Sequence, residues 1–301
     1  MCKQKIGFIG LGNMGGPMCR NIMKGGYQVT VFDVKPEILS AFVKDGAKLA
    51  SSIVELASEN EIVITMLPSH REVQDVVFGN DSLINGMRTG STLIEMSTSS
   101  PTLTKKIGLE LAKHGVSVID SPVSKGIPAA KDGTLTLMIG GEAGTIDKCR
   151  GVLMTMAKEI LHVGGNGAGH AMKLVNQIIA HTELVSICEA FMLGVKFGLD
   201  EKVIADVISK SSGNSFIFQY KHQKILNRDF KPGSTVDILY KDLYLAGELG
   251  ADLAVPLNLT NLARDVYQAA RAVGLSKSDG TSIITLYEKY LDREIGLLKH
   301  S

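Results

Sequence analysis

The chain has 301 residues, 45% hydrophobic and 21% charged, an ordinary globular composition with room for two domains. Its formal net charge is +1 with lysine and arginine scattered, so it has no basic stripe for nucleic acid. No unbroken apolar run reaches the length of roughly 18 residues that marks a membrane span, and the amino terminus (MCKQKIGFIG) enters a strand almost at once, which argues against a cleaved leader. Four dispersed cysteines, Cys2, Cys19, Cys149 and Cys188, read as free thiols of a cytoplasmic protein. The histidines are dispersed too, with no H-E-x-x-H or similar ligand spacing, so no metal is expected.

Residues 5–10 form a short apolar strand that runs into Gly10-Leu11-Gly12-Asn13-Met14-Gly15 and a helix to about Met23. Strand, G-x-G-x-x-G and helix in that order mark a dinucleotide site. Gly10 permits the turn, Gly12 lets a pyrophosphate approach the backbone, and Gly15 lets the helix pack on the sheet. The N–H groups at the helix start, around Asn13 and Met14, then face the pyrophosphate. The strand over 28–32 ends at Asp33, 23 residues after Gly10. A carboxylate there accepts the ribose hydroxyls of NAD and repels a 2′-phosphate, so NAD is favoured over NADP. Lys35 keeps NADP open, because a lysine can approach a phosphate.

Strands over 61–67, 91–96, 116–120, 134–140 and 159–163 then alternate with helices over 36–44, 101–114 and 142–156. Apolar, unalternating strands separated by helices indicate a parallel sheet covered on both faces, with the ligand at the strands' carboxyl ends. Leu67-Pro68-Ser69 and Ser97-Thr98-Ser99 follow two such strands and are candidates to border the nicotinamide, although serine and threonine are also ordinary turn residues. The stretch DSPVSKGIPAAKDGTL at 120–135 is a strand end and then a Gly/Pro/Ser loop, able to aim hydroxyls and N–H groups at an anion or simply to connect two elements.

Residues 164–198 predict one helix of about thirty residues, far above the usual 11–12, in which Lys173, Asn176 and Gln177 share a face. Helices are expected near 201–210, 214–227, 235–250, 256–273 and 279–298, one of them carrying Lys241-Asp242-Leu243. Spacing alone allows Lys173 to be a lysine that snorkels to solvent and Lys241 to be a surface residue.

Four stretches in order, GFIGLGNMG at 7–15, DSPVSKGIPAAKDGTL at 120–135, GAGHAMKLVNQ at 167–177 and KDL at 241–243, resemble the β-hydroxyacid dehydrogenases. The resemblance spans almost the whole chain. It implies an α/β fold with a Rossmann-type doubly wound sheet at 1–163, a long interdomain helix at 164–198 and an all-α carboxyl-terminal domain at 199–301, assembled as a homodimer or homotetramer. It places the family's catalytic lysine on Lys173 and its substrate-carboxylate loop on Ser124 and Gly126. Its lysine near the cofactor falls on Lys241 and its threonine after the fifth strand on Thr98.

Two positions depart from the family pattern. Lys125 stands where many members have glycine, and Asn176-Gln177 stands where many have Asn-Asn, as tartronate semialdehyde reductases tend to. The glutamine keeps an amide able to bond substrate oxygen; Lys125 can recognise a second acid group or point to solvent.

The resemblance implies reversible, NAD-dependent hydride transfer at the hydroxyl or aldehyde carbon of a short hydroxy acid, 3-hydroxyisobutyrate dehydrogenase-like, with Lys173 as general acid/base. The alternatives are tartronate semialdehyde reduction and reduction of a doubly anionic substrate such as 2-formylglutarate, or of sulfolactaldehyde. Outside that class stand an imine reductase, whose members usually lack the lysine, and a nucleotide-sensing protein without turnover.

Overall fold

In the computed structural model, which describes residues 3–296, the chain divides into two compact units, Met1–Lys173 and Leu174–Ser301. In the first, strands β1 (Ile6–Ile9), β2 (Val29–Phe32), β3 (Lys48–Leu49), β4 (Ile62–Thr65), β5 (Thr92–Glu95) and β6 (Ser117–Asp120) run parallel in the order β3-β2-β1-β4-β5-β6. Alternate strand residues serve opposite faces. Ile6, Phe8, Ile62, Ile64 and Ile94 pack in one apolar cluster, whereas Ile9, Val63 and Leu93 pack in another. Both faces are covered, so β1, β4 and β5 are buried at every position and show no polar alternation. The strand order reverses between β1 and β4, which opens a crevice at their carboxyl ends beside the glycine-rich loop.

The helices of this unit are α1 (Gly15–Lys24), α2 (Pro36–Lys44), α3 (Ile53–Glu59), α4 (His70–Phe78), α5 (Leu83–Gly86), α6 (Pro101–Ala112), α7 (Gly126–Asp132) and α8 (Ala143–Leu153). Four of them, α3, α4, α5 and α7, are absent from the sequence reading. They are short, and their serines look like loop chemistry: Ser52 and Ser69 are the caps of α3 and α4.

The sequence predicts a wholly parallel sheet, but the sheet is mixed. It is completed by β7 (Val123–Ser124), β8 (Leu135–Gly140) and β9 (Ala157–Gly164), and β8 is antiparallel to β6 and β7. The cause is local. The stretch 120–135 is not one loop; it holds β7 and α7, which reverse the chain before β8.

The long helix α9 (Ala168–Phe197) runs on into the second unit, which otherwise contains α10 (Glu201–Ser209), α11 (Phe216–Leu226), α12 (Val236–Asp252), α13 (Asn258–Ala272), a 3₁₀ turn (Gly280–Ile283) and α14 (Ile284–Leu291). The last helix is shorter than the span 279–298, because Asp292 turns left-handed after Leu291; 297–298 lie outside the described residues. Although α9 is long and apolar enough to pass for a membrane span, its Leu184, Cys188, Phe191 and Val195 are buried in this unit's core with Phe218, Leu239 and Tyr267. That is the burial of a core helix. Cys19, Cys149 and Cys188 are free and buried, and Cys2 lies outside the described residues.

Candidate active site

The glycine-rich loop has the shape a pyrophosphate needs. Gly10 turns through a φ of +96°, and a Cβ on Gly15 would stand 1.9 Å from the Gly10 carbonyl oxygen, so only glycine lets α1 sit this close. A Cβ on Gly12 would meet nothing within 4 Å, so the space above the loop is open. The helix starts at Met14 with no side-chain cap, whereas Ser52, Ser69 and Ser100 cap α3, α4 and α6. The first N–H groups of α1, beside exposed Asn13, are thus left for an anion.

Asp33 closes the other side. It receives the Leu11 N–H on Oδ2 at 2.7 Å and the Lys35 N–H on Oδ1 at 2.9 Å. Each carboxylate oxygen keeps a lone pair for a ribose hydroxyl. The residues fit a dinucleotide with a free 2′-hydroxyl.

Past β4 and β5 the strand ends are laced together. The Leu67 N–H donates to Ser97 Oγ at 2.8 Å, which ties the Leu67-Pro68 loop to the loop that carries Thr98. Ser99 and Ser121, both fully buried, have hydroxyls without a partner among the described residues, orphans of the kind a bound ligand satisfies.

Three titratable residues that the sequence reading missed meet at the same strand ends: Glu95 closing β5, Asp120 closing β6 and His170 in the first turn of α9, all essentially without solvent exposure. Asp120 accepts the Gly167 N–H on Oδ1 and the His170 N–H on Oδ2, each at 2.8 Å, and so caps α9 from a neighbouring strand. His170 Nε2 lies 2.9 Å from the Ser97 carbonyl oxygen and 2.9 Å from Glu95 Oε2. Its Nδ1 is 2.7 Å from Thr104 Oγ1, which also lies 3.1 Å from the Ser100 carbonyl oxygen. Both ring nitrogens are thus engaged, and the ring is fixed between β5 and α6.

The electrostatics agree. Burial alone would push His170 down, but the Glu95 charge and bond, then Asp120 and the Ser97 carbonyl, hold it above its ordinary value. Burial would raise Glu95, but the charge and bond of His170 and the bonds from Ser97 hold it below. Breaking a buried pair of this kind costs about 3–5 kcal/mol. A signal was present in the sequence: TLIE and SVID are apolar strands ending in an acid, and His170 is three residues before Lys173.

Lys173, one turn along α9, is buried at 8% exposure. Ser124 is held in β7 opposite Thr136, and Lys125 caps α7 with a left-handed φ of 83°, followed by Gly126 at 72°. The same loop begins at Asp120, so one carboxylate joins the anion loop to the helix of Lys173.

In the second unit Asp242 is the hub. Its Oδ2 accepts from Gln177 Nε2 at 2.6 Å and lies 3.2 Å from His181 Nε2, while Lys241 Nζ is 3.3 Å from Oδ1. Gln177 Oε1 takes the Asn176 Nδ2 donor at 3.1 Å. Both polar ends of Gln177 are engaged within the protein.

A family profile described as the NAD binding domain of 6-phosphogluconate dehydrogenase matches residues 5–164, and one described as NAD-binding of NADP-dependent 3-hydroxyisobutyrate dehydrogenase matches 167–287. The 2-(hydroxymethyl)glutarate dehydrogenase of Eubacterium barkeri is 37% identical over 286 residues, 95% of each chain. This chain belongs to the β-hydroxyacid dehydrogenase family. A second relative, mitochondrial 3-hydroxyisobutyrate dehydrogenase of Mus musculus, is 33% identical over 93% of this chain and 86% of its own. The solved 3-hydroxyisobutyrate dehydrogenase of Mycobacterium tuberculosis with L-serine has a TM-score of 0.86 at 33% identity, covering 95% and 99% of the two chains. Like its family, the chain is an oxidoreductase acting on hydroxyl or aldehyde groups of small acids, and its cofactor is NAD.

If Asp33 selects NAD by repelling a 2′-phosphate, Asp33→Ala should lower the NAD-to-NADP ratio of kcat/KM by roughly tenfold or more, a change of about 1.4 kcal/mol. An unchanged ratio in initial-rate assays with both cofactors removes Asp33 from that role.

Proposed function

We propose that this β-hydroxyacid dehydrogenase interconverts a short 3-hydroxy acid of the 3-hydroxyisobutyrate type with its semialdehyde, using Lys173 as general acid/base. The observation that carries this reading is a buried lysine one helical turn beyond a first turn bolted to two strand ends. NAD supplies the hydride acceptor when it is bound. Gly10, Gly12, Asn13, Met14, Gly15 and Asp33 hold it, and Leu67, Pro68 and Thr98 border its reactive end.

Ser124 and Gly126 receive the substrate carboxylate on a hydroxyl and a backbone N–H. Lys173 accepts the alcohol proton in oxidation and returns it to the aldehyde oxygen in reduction. Asn176 orients the substrate, and Gln177 serves by bracing Asn176. We assign Lys241, from the family's Lys-Asp-Leu motif, to the cofactor.

On this reading residues 1–163 bind NAD, 164–198 carry the acid/base and 199–301 form an all-α domain. Buried free thiols suit a reducing compartment, so we place the enzyme in the cytoplasm.

Lys173→Ala should lower kcat by 10²–10⁴-fold, the usual worth of a positioned proton donor, with the NADH Kd within about twofold of wild type. Near-wild-type turnover would sink the assignment.

A second reading concerns the substrate's far end. A non-glycine residue in the left-handed region costs roughly 1–2 kcal/mol, yet Lys125 occupies such a position inside the anion loop. The relative from Eubacterium barkeri is named for a glutarate, a diacid. We infer that Lys125 meets a second acid group. Lys125→Gly should then raise thermal stability while increasing KM for 2-(hydroxymethyl)glutarate much more than KM for 3-hydroxyisobutyrate. Equal shifts in the two KM values end this reading.

The second unit also exposes large apolar residues, among them Leu193 and Phe197 at the end of α9 and Val203 and Val207 on α10. Exposed apolar side chains of this kind suit an interface, and we assign them to contact with a second copy in a homodimer, itself able to pair into a tetramer. Light scattering should give at least a dimer for the wild type and a smaller species for Phe197→Glu; a wild-type monomer refutes it.

A further inference from the structure

The buried charges at the start of α9 have no part in binding either substrate or cofactor in the reading above, yet they are costly. Two acidic side chains and one imidazole, Glu95, Asp120 and His170, are buried together within ion-pair distance. Each is satisfied by a group that has a location worth fixing. Asp120 holds the N–H groups of Gly167 and His170, the first turn of α9. Glu95 Oε1 accepts the Ser97 N–H at 2.8 Å, and Ser97 in turn anchors Leu67. His170 bonds the Ser97 carbonyl and Thr104, the latter on α6. The cluster therefore ties the cofactor-facing loops after β4 and β5 to the helix that carries Lys173.

Packing reinforces the tie. A Cβ on Gly169 would lie 2.4 Å from the Met138 carbonyl oxygen and 2.7 Å from that of Asp120, so α9 touches the sheet backbone at this turn. His170 and Lys173 are three residues apart, a spacing that puts their Cβ atoms about 5–6 Å from each other on one side of a helix.

We propose that Glu95, His170 and Asp120 form a charge clamp that sets the reach of Lys173 relative to the cofactor loops, making them positioning residues for the proton transfer. The clamp rests on the reading of Lys173 as the acid/base. An apolar core could hold a helix equally firmly; what the polar set adds is direction, because a carboxylate capping two N–H groups and an imidazole held at both ring nitrogens define the rotation of α9 about its axis as well as its distance from the sheet. A rotation error at His170 is carried unchanged to Lys173, and misplacement of a reacting group by about 1 Å can cost on the order of 10²-fold in rate.

The test compares Glu95→Gln, which keeps the shape and removes the charge, with Thr104→Val, Thr104→Ser and Lys173→Ala in the full-length protein. Measured for each are kcat, KM, the NADH Kd by fluorescence, and the primary isotope effect with 4-deuterated NADH in the reducing direction. For Glu95→Gln we expect kcat to fall roughly tenfold or more with the NADH Kd within about twofold and a larger isotope effect on kcat, as the chemical step becomes limiting. Thr104→Val should show a smaller loss of the same kind, and Thr104→Ser should restore it.

A folded Glu95→Gln with wild-type kcat and isotope effect, only melting earlier, overturns the proposal. Should Glu95→Gln not fold, the Thr104 pair decides: a wild-type kcat in Thr104→Val overturns it, and a loss rescued by serine supports it. Lys173→Ala separates the two levels. If it is active, the acid/base reading has failed; if it is inactive while the clamp variants are fully active, only the clamp has failed.

Discussion

Asp120 closes β6 and, with one oxygen each, receives the N–H groups of Gly167 and His170 at 2.8 Å, so that a strand end caps a helix of 30 residues. This contact sets much of the rest. A helix start leaves four N–H groups unpaired and carries partial positive charge, and a fully desolvated carboxylate requires both donors and positive potential. Each solves the other's problem. The approach is close enough to forbid side chains around it: a Cβ on Gly140 would stand 2.5 Å from Asp120 Oδ1, and one on Gly169 would strike the Met138 carbonyl. Two glycines, a strand-end acid and the helix register are thus one constraint seen from four positions.

The parts legible in the sequence were those whose signal is local. The strand, the glycine spacing and the acid 23 residues on all lie within one short stretch, and short-range sterics dictate them. The helix over 168–197 was visible because thirty largely apolar residues without proline leave few alternatives.

What escaped was non-local or polar. Glu95, Asp120 and His170 are 25 and 50 residues apart along the chain, and each alone looks like a strand-end or helix-surface residue. Only the sheet register, which places Glu95 beside Asp120, puts them together. The stretch 120–135 failed for a different reason. Its glycine, proline and serine have turn chemistry, and the tertiary pairing of Ser124 with Thr136 overrides it to make β7.

Gln177 is held by partners within the protein. An amide on the Lys173 face has the chemistry to bond a substrate oxygen, but the longer arm of glutamine reaches Asp242 on α12, and its oxygen takes the donor of Asn176. His181, one turn further on, is 3.2 Å from the same carboxylate. Read along α9, a pattern emerges. In the first unit a buried carboxylate, Asp120, grips the backbone at 167 and 170; in the second a buried carboxylate, Asp242, grips side chains at 177 and 181. Lys173 falls between the two grips. Apolar packing alone leaves a helix free to settle by small rotations and slides, because it is non-directional. Hydrogen bonds to carboxylates at 167 and 170 and again at 177 and 181 remove that freedom along the stretch of α9 that carries Lys173, which is what the proposed proton transfer from this lysine would require.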